Sequence, residues 1–273
     1  MLNFDKFSGK VAVVTGGASG IGLGLAQRFA AEGMQVVIAD LDGARAAAMA
    51  EPLGGIGRAV DVSKAGDLAA LAEEVMARYG RIDLLCNNAG IGPAAAIRDL
   101  TEADWRWMLD VNLWGVIHGI SAFLPLLRAN PEGGWIVNTS SMAGLRPVEG
   151  LGAYVAAKYA VTGLSETLAA ELATEGAKVG VTLLCPGPVR SNIGQSLRYR
   201  PKGEEAKMAL RDVDISKMGH HAAGVHWRSP EETAEIVVQA LRQGALYAIT
   251  HPEQRDRIEA RFAQLLAAFP PNP

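Results

Sequence analysis

The sequence predicts an α/β protein built on a parallel sheet, and three observations carry that expectation. Short β-branched runs alternate with longer alanine- and leucine-rich segments along most of the 273 residues. The runs are continuously apolar, as in strands buried on both faces. The first of them, Val11-Ala12-Val13-Val14-Thr15, empties into Gly16-Gly17-Ala18-Ser19-Gly20-Ile21-Gly22 and then into an alanine-rich segment.

Taken in order, strands are expected at 11–15, 35–39, 58–62, 82–87, 135–140, 179–184 and 246–250. Helices are expected at 21–32, 43–51, 65–79, 102–129, 154–174, 231–243 and 253–268. Thr101-Glu102-Ala103-Asp104 has the form of a capping box with Asp in place of Glu and marks where the long helix starts. No tandem repeat or low-complexity linker divides the chain, so residues 1–273 read as a single domain. The alternation breaks at 190–229, a stretch rich in charge, glycine and histidine, whose length without a clear strand suggests a substrate-lid insertion.

Composition excludes several function classes. With 49% hydrophobic residues the chain can bury a sizeable core. A net charge of −3 and a pI near 6.0 give no electrostatic footprint for nucleic acid or anionic membrane. The first residues, Met1-Leu2-Asn3-Phe4-Asp5-Lys6, lack the apolar core of a signal peptide, and no 18-residue apolar run suggests a membrane span, so a cytoplasmic location is expected. Cys86 and Cys185 each lie in an apolar run and read as buried free thiols. His220, His221 and His226 invite a metal, but no neighbouring ligand set has zinc-like spacing, and none is expected.

The glycines of the first turn allow a tight bend and let a pyrophosphate approach the N-terminus of the following helix, whose free N–H groups favour anions. Their spacing is Gly-x-x-x-Gly-x-Gly, not the usual Gly-x-Gly-x-x-Gly, and such a turn can also serve helix packing alone. Asp40, ending the second strand 20 residues after Gly20, can accept hydrogen bonds from an adenosine ribose and would repel a 2′-phosphate. Neither Leu41 nor Ser19 is basic, which favours NAD over NADP. Asp61 and Val62 can likewise meet the adenine. Tyr154 and Lys158 stand one turn apart on one helix face, where the lysine's charge is expected to lower the pKa of the phenol.

With Thr15 to Gly22, Asn87-Asn88-Ala89-Gly90, Asn112, Ser141, Tyr154 and Lys158 in order, the chain resembles the short-chain dehydrogenase/reductase family over about residues 8–250. The resemblance implies a Rossmann-type, doubly wound seven-stranded sheet, a nicotinamide cofactor and a catalytic tetrad of Asn112, Ser141, Tyr154 and Lys158. It places the cofactor along Gly16, Ser19, Gly20, Ile21, Gly22, Asp40, Asp61, Val62, Asn88, Ala89, Gly90, Tyr154, Lys158, Pro186, Gly187, Val189 and Ser191. Ser191 stands where the family has threonine, and keeps the hydroxyl. Ser141, 13 residues before Tyr154, has the family spacing, with Ser140 as the alternative. Asn112, a poor helix former in a helix interior, holds a water in the family.

Tyr154 would remove the hydroxyl proton of an alcohol while Ser141 steadies the oxygen; reduction reverses the step. Substrate walls are expected at Ile91-Gly92-Pro93, Gly144, Leu145, Val148 and Gly187, with Met218 and Trp227 from the insertion. Being mainly apolar, they suggest a bulky hydrophobic or aromatic alcohol or ketone. Arg198, Arg200, Lys202 and Lys207 would attract an anion, but Glu204, Glu205, Asp212 and Asp214 nearly cancel them. An NADPH-dependent carbonyl or 3-oxoacyl reductase shares the tetrad, a methyltransferase shares the first turn but does not need Tyr154 and Lys158, and a non-enzymatic dinucleotide sensor needs only the fold. Family members are usually tetramers, and apolar faces around Trp114, Ile117, Leu164 and Leu168 would serve that assembly or equally form ordinary core.

Overall fold

A computed structural model describes residues 4–203, 208–214 and 226–270. Seven parallel strands, β1 (Val11–Thr15), β2 (Gln35–Asp40), β3 (Ile56–Ala59), β4 (Leu84–Asn87), β5 (Gly134–Thr139), β6 (Val179–Cys185) and β7 (Tyr247–Ile249), form one sheet in the order β3-β2-β1-β4-β5-β6-β7. Helices α1 (Gly20–Ala31), α2 (Gly43–Ala50), α3 (Ala65–Tyr79), α4 (Glu102–Leu109), α5 (Gly115–Ala129), α6 (Gly152–Thr174), α7 (Pro230–Gln243) and α8 (Arg255–Ala267) follow in chain order.

Strand side chains alternate between the two faces, and both faces are covered. Ala12, Val14, Val36, Ile38, Leu84 and Val137 pack with Leu25, Phe29, Val237 and Leu241 of α1 and α7. Val11, Val13, Val37, Leu85 and Ile136 pack with Leu68, Val75, Phe123, Leu127 and Leu172 of α3, α5 and α6. The chain moves outward from β1 to β3 and then returns to the other side of β1 at β4. That reversal opens a crevice beyond the carboxyl ends of β1 and β4, where doubly wound sheets bind ligands.

Several expected bounds shift for physical reasons. β3 covers Ile56–Ala59 rather than 58–62. Val60 and Val62 are buried against the α3 side, which gives the run its strand-like apolarity. The ladder ends there because Val60 N–H donates to the Asp40 carbonyl at 2.8 Å and the chain then turns around the Asp61 carboxylate, which accepts from Ser63 N–H at 3.1 Å. β4 begins only at Leu84, since Asp83 spends its buried carboxylate on Val11 N–H and Arg81. Leu168, expected on an assembly face, is 8% exposed and belongs to the sheet core.

The long helix runs from Glu102 to Ala129, but residues Asp110–Trp114 form a single π turn between α4 and α5. By length and composition this helix is apolar enough to cross a membrane, contrary to the expectation that no such run exists. In the fold it lies along the sheet, burying Val116, Gly119, Phe123 and Leu127. The insertion is tied down where it is described. Arg211 bridges Ala94, Val213 N–H bonds the Gly194 carbonyl at 2.8 Å, and Arg228 bridges Val189. Lys207, Met218, His220, His221, Glu204 and Glu205 lie outside the described residues.

Candidate active site

The crevice is a cavity of about 990 Å³, at the upper end of the size range for ligand sites. Its floor is the turn from β1 to α1. Gly16 (φ +63°) and Gly20 (φ +51°) adopt the left-handed backbone that glycine favours. A Cβ on Gly16 would stand 2.7 Å from Ala89 Cα, so the β1 and β4 exits can touch only without one. Ser19, which starts α1, makes no side-chain cap bond, and no acidic residue occupies the first turn. The helix therefore presents N–H groups and a positive end to the cavity.

Asp40 and Asp61 line the same cavity. Asp40 Oδ2 accepts from Ala18 N–H and Oδ1 from Asp42 N–H, both at 3.1 Å, so the carboxylate fixes the turn while keeping lone pairs for a ligand. Burial pushes the Asp61 carboxyl upward, but bonds from Ser63 and the Lys64 charge hold it below its ordinary value. Arg45, which the sequence reading passed over, donates from Nε to the Ala18 carbonyl at 3.0 Å. Its only signal was its place just after Asp40.

Behind this floor, Thr15 at the end of β1 accepts from Asn88 N–H at 2.9 Å and Ala89 N–H at 3.1 Å. Asn88 Nδ2 donates back to the Thr15 carbonyl at 3.0 Å. Asn87 continues the lattice, donating to Asn138 Oδ1 at 2.9 Å, and Asn138 donates to Ser165 Oγ at 3.0 Å. This chain of amides welds β1, β4, β5 and α6 where the site opens.

Tyr154 lies between the large cavity and a second one of about 120 Å³ that Ser141 also lines. Ser141 Oγ accepts from Ala143 N–H at 3.1 Å and donates to the Pro186 carbonyl at 3.3 Å. Ser140 turns away: its hydroxyl donates to the Lys158 carbonyl at 3.0 Å and pairs with Thr162 at 2.9 Å. Lys158 is 2% exposed, and its Nζ donates to the Thr139 carbonyl at 2.9 Å. Burial brings its pKa down from 10.5 to about 8.

The expected lowering of the Tyr154 pKa by Lys158 is not what this geometry gives. Burial raises the phenol above its ordinary value, with a Ser141 hydrogen bond pulling it back. Lys158 Nζ is committed to Thr139 and stands 5.6 Å from the phenol ring centroid. Asn112 is fully buried in the π turn. Oδ1 accepts from Ile91 N–H at 3.0 Å and Nδ2 donates to the Ile91 carbonyl at 2.9 Å. A Cβ on Gly90 would stand 2.8 Å from Asn112 Oδ1 and 3.7 Å from Lys158 Nζ, so these three residues converge.

The remaining expected residues divide. Gly16, Ser19, Gly20, Ile21, Val62, Asn88, Ala89, Gly90, Pro186 and Ser191 line the large cavity. Val148, Gly187 and Val189 line the small one. Bonds from Arg190 N–H to the Arg228 carbonyl and from Arg228 N–H to the Pro188 carbonyl make a parallel bridge that leaves Val189's own N–H and C=O facing the other way. Gly22 and Leu145 line neither cavity. Gly22 is a packing glycine, since a Cβ there would lie 2.6 Å from Asn88 Nδ2. Leu145 packs beside Val116, Met142, Val161 and Leu183. Trp107, Ile193, Tyr199 and Met208, lining the large cavity, were not singled out, because they reach it only through tertiary packing.

The arrangement thus offers a long cradle with a positive helix end at one extremity and a phenol, a hydroxyl and a buried amine at the other. A family model described as short chain dehydrogenase matches residues 10–202. The C alpha-dehydrogenase of Sphingobium sp. (strain NBRC 103272 / SYK-6) is 34% identical over 272 residues, a match covering 97% of this chain and 88% of that protein. Galactitol 2-dehydrogenase of Agrobacterium fabrum is 38% identical over 186 residues, covering 67% of this chain and 72% of the other. A solved short chain dehydrogenase/reductase from Burkholderia phymatum, in complex with NAD, is similar at a TM-score of 0.87 and 32% identity, with 99% of each chain covered.

Proposed function

The chain belongs to the short-chain dehydrogenase family, and on that premise we propose that it is an NAD-dependent oxidoreductase interconverting a secondary alcohol and its ketone. The observation that carries this reading is the meeting of Ser141, Tyr154 and Lys158 where the two cavities join. The cradle suits the cofactor: Gly16 and Gly20 leave room for a pyrophosphate at the free end of α1, and Asp40 faces the adenosine ribose. Val189's free N–H and C=O and the Ser191 hydroxyl would hold the carboxamide. A bound nicotinamide would supply the hydride acceptor for the carbinol carbon, and its reduced form the donor for the reverse reaction.

Every other part of the step falls to the chain. Tyr154 takes the hydroxyl proton in oxidation and gives it back in reduction. Ser141 exchanges its weak bond to the Pro186 carbonyl for one to the substrate oxygen and steadies the charge developing there. Lys158, whose buried Nζ lines the large cavity, would hold the nicotinamide ribose. The π turn at Asn112, which converges with Lys158 at Gly90, would hold a water on a proton path from Lys158. NAD is preferred to NADP because the Asp40 carboxylate repels a 2′-phosphate.

A bulky hydrophobic or aromatic substrate agrees with Trp107, Ile193, Tyr199 and Met208 on the cavity wall. The enzyme assembles as a homotetramer and works in the cytoplasm. The test is a panel of aromatic alcohols, steroids and sugar alcohols with NAD and NADP, read at the reduced-nicotinamide absorbance. Sugar alcohols belong in it because a relative is named for galactitol, and NADP belongs in it because Arg45 bonds the carbonyl of Ala18, the residue whose N–H Asp40 accepts. Tyr154→Phe should keep fold and cofactor binding while losing on the order of 10²–10⁴-fold in turnover. Near-parental turnover in that variant refutes the role given to Tyr154.

A further inference from the structure

The small cavity beside Ser141 and Tyr154 holds a cation for which the chemistry above has no use. Arg146 follows the turn after β5, and 8% of it is exposed. Among the described residues its guanidinium meets no carboxylate. Nη2 donates to Gln254 Oε1 at 3.1 Å, Nε to the same oxygen at 3.4 Å and Nη1 to the Pro147 carbonyl at 3.3 Å. Both acceptor oxygens are neutral, and the three distances are long for an ionised donor. A guanidinium carries five N–H groups, so donors remain for another acceptor.

Burying an ionised group without a counter-charge is costly, which makes this placement one that needs a reason. The surroundings sharpen the cost. Burial and the nearby Arg257 both work against the protonated form, with Tyr159 opposing them. Arg146 and Gln254 line the same cavity as the two groups that handle the reacting oxygen, and Met142, Val148, Leu151 and Val213 complete an otherwise apolar wall.

We propose that Arg146, held in place by Gln254, binds a carboxylate on the substrate, so that the preferred substrate is a secondary alcohol or ketone bearing a carboxylate on a short apolar spacer. This deepens the oxidoreductase reading and rests on it. A carboxylate accepts two parallel N–H bonds from the planar fork and neutralises one guanidinium with one charge. A phosphate dianion would leave a net charge in an apolar cavity. The size of the cavity, about 120 Å³, calls for a spacer of few atoms.

The experiment compares a hydroxy acid with its methyl ester on the same carbinol, in the wild type, Arg146→Met and Arg146→Lys. The wild type should favour the acid in kcat/KM by about 100-fold, the scale expected for a desolvated charge pair. Arg146→Met should abolish that preference mainly through KM, and Arg146→Lys should restore part of it. Equal use of acid and ester by the wild type overturns the proposal, as does an Arg146→Met variant that loses acid and ester turnover in the same proportion. Calorimetry with a carboxylate lacking the carbinol, and with its amide, tests the anion site apart from turnover. Binding of the carboxylate no tighter than the amide overturns the proposal. Tighter binding of the carboxylate with no alcohol oxidised upholds the anion site and refutes only the oxidoreductase reading.

Discussion

Tyr154 meets its task from the protonated side. Burial holds its phenol above the ordinary value, so at neutral pH the base form is a small fraction that grows about tenfold per pH unit. Lys158, brought down to about 8, keeps most of its charge up to about pH 7 and has lost about half of it at pH 8. From pH 6 to 7, kcat/KM for alcohol oxidation should therefore rise about tenfold, while ketone reduction, which uses the protonated phenol, should stay level. Initial rates in both directions decide this, and a flat oxidation profile would contradict it. At this scale the sequence located Tyr154, Lys158 and Asp40, which all line the large cavity, because each is fixed by spacing along a single element. What it could not carry was who touches whom across elements. Ser140 and Ser141 part company only when α6 brings the Lys158 carbonyl and Thr162 to one of them. The bond from Lys158 to the Thr139 carbonyl likewise exists only once β5 meets α6.

Among the elements, α4 shows a local signal with a distant purpose. The capping box forms as expected, with the Asp104 carboxylate accepting from Thr101 N–H at 2.9 Å and the Thr101 hydroxyl accepting from Asp104 N–H at 3.3 Å. The same carboxylate also accepts from Ala209 N–H at 2.8 Å and Leu210 N–H at 3.2 Å, pinning the insertion against the cavity wall. Nothing local announces that second use, since the partners are 105 and 106 residues away. Asp104→Ala keeps the Thr101 cap on the backbone N–H of residue 104 but removes the carboxylate half of the capping box and strands the N–H groups of Thr101, Ala209 and Leu210. Denaturant unfolding should show a loss of about 2–4 kcal/mol. Hydrogen exchange should speed up at residues 208–210, and KM should rise more than kcat falls, because Met208 and Trp107 share the cavity wall. The π turn was illegible for the same reason: Asn112 was visible as an oddity, but the register that matches it to Ile91 is set by the β4 exit.

On the scale of the whole molecule, the apolar surface is unevenly distributed. In the most apolar 18-residue window of the 102–129 helix, 28% of residues are buried, and Trp114 is 48% exposed. A second apolar area lies at the β7 edge of the sheet and beyond it: β7 exposes Tyr247 and Ile249, α8 exposes Phe262, Leu265 and Leu266, and Phe269 is exposed just after α8. Extended apolar surface of this kind marks interfaces. Two separate patches, each self-complementary about its own two-fold axis, generate a closed tetramer, whereas one patch would stop at a dimer. Light scattering should therefore give about four times the chain mass of 28.7 kDa. Trp114→Glu should leave dimers joined through the α8 end, Leu266→Glu should leave dimers joined along the long helix, and the double variant should be monomeric. Tetramers in both single variants would show that neither patch carries the assembly. A wild-type dimer abolished by Trp114→Glu alone would assign the α8 surface no role in it. The sequence offered Trp114, Ile117, Leu164 and Leu168 either for such an interface or as ordinary core, and of these Leu168 is consumed by the sheet. A helix pattern alone cannot divide an apolar surface between its own core and a neighbour, because both bury the same side chains for the same reason.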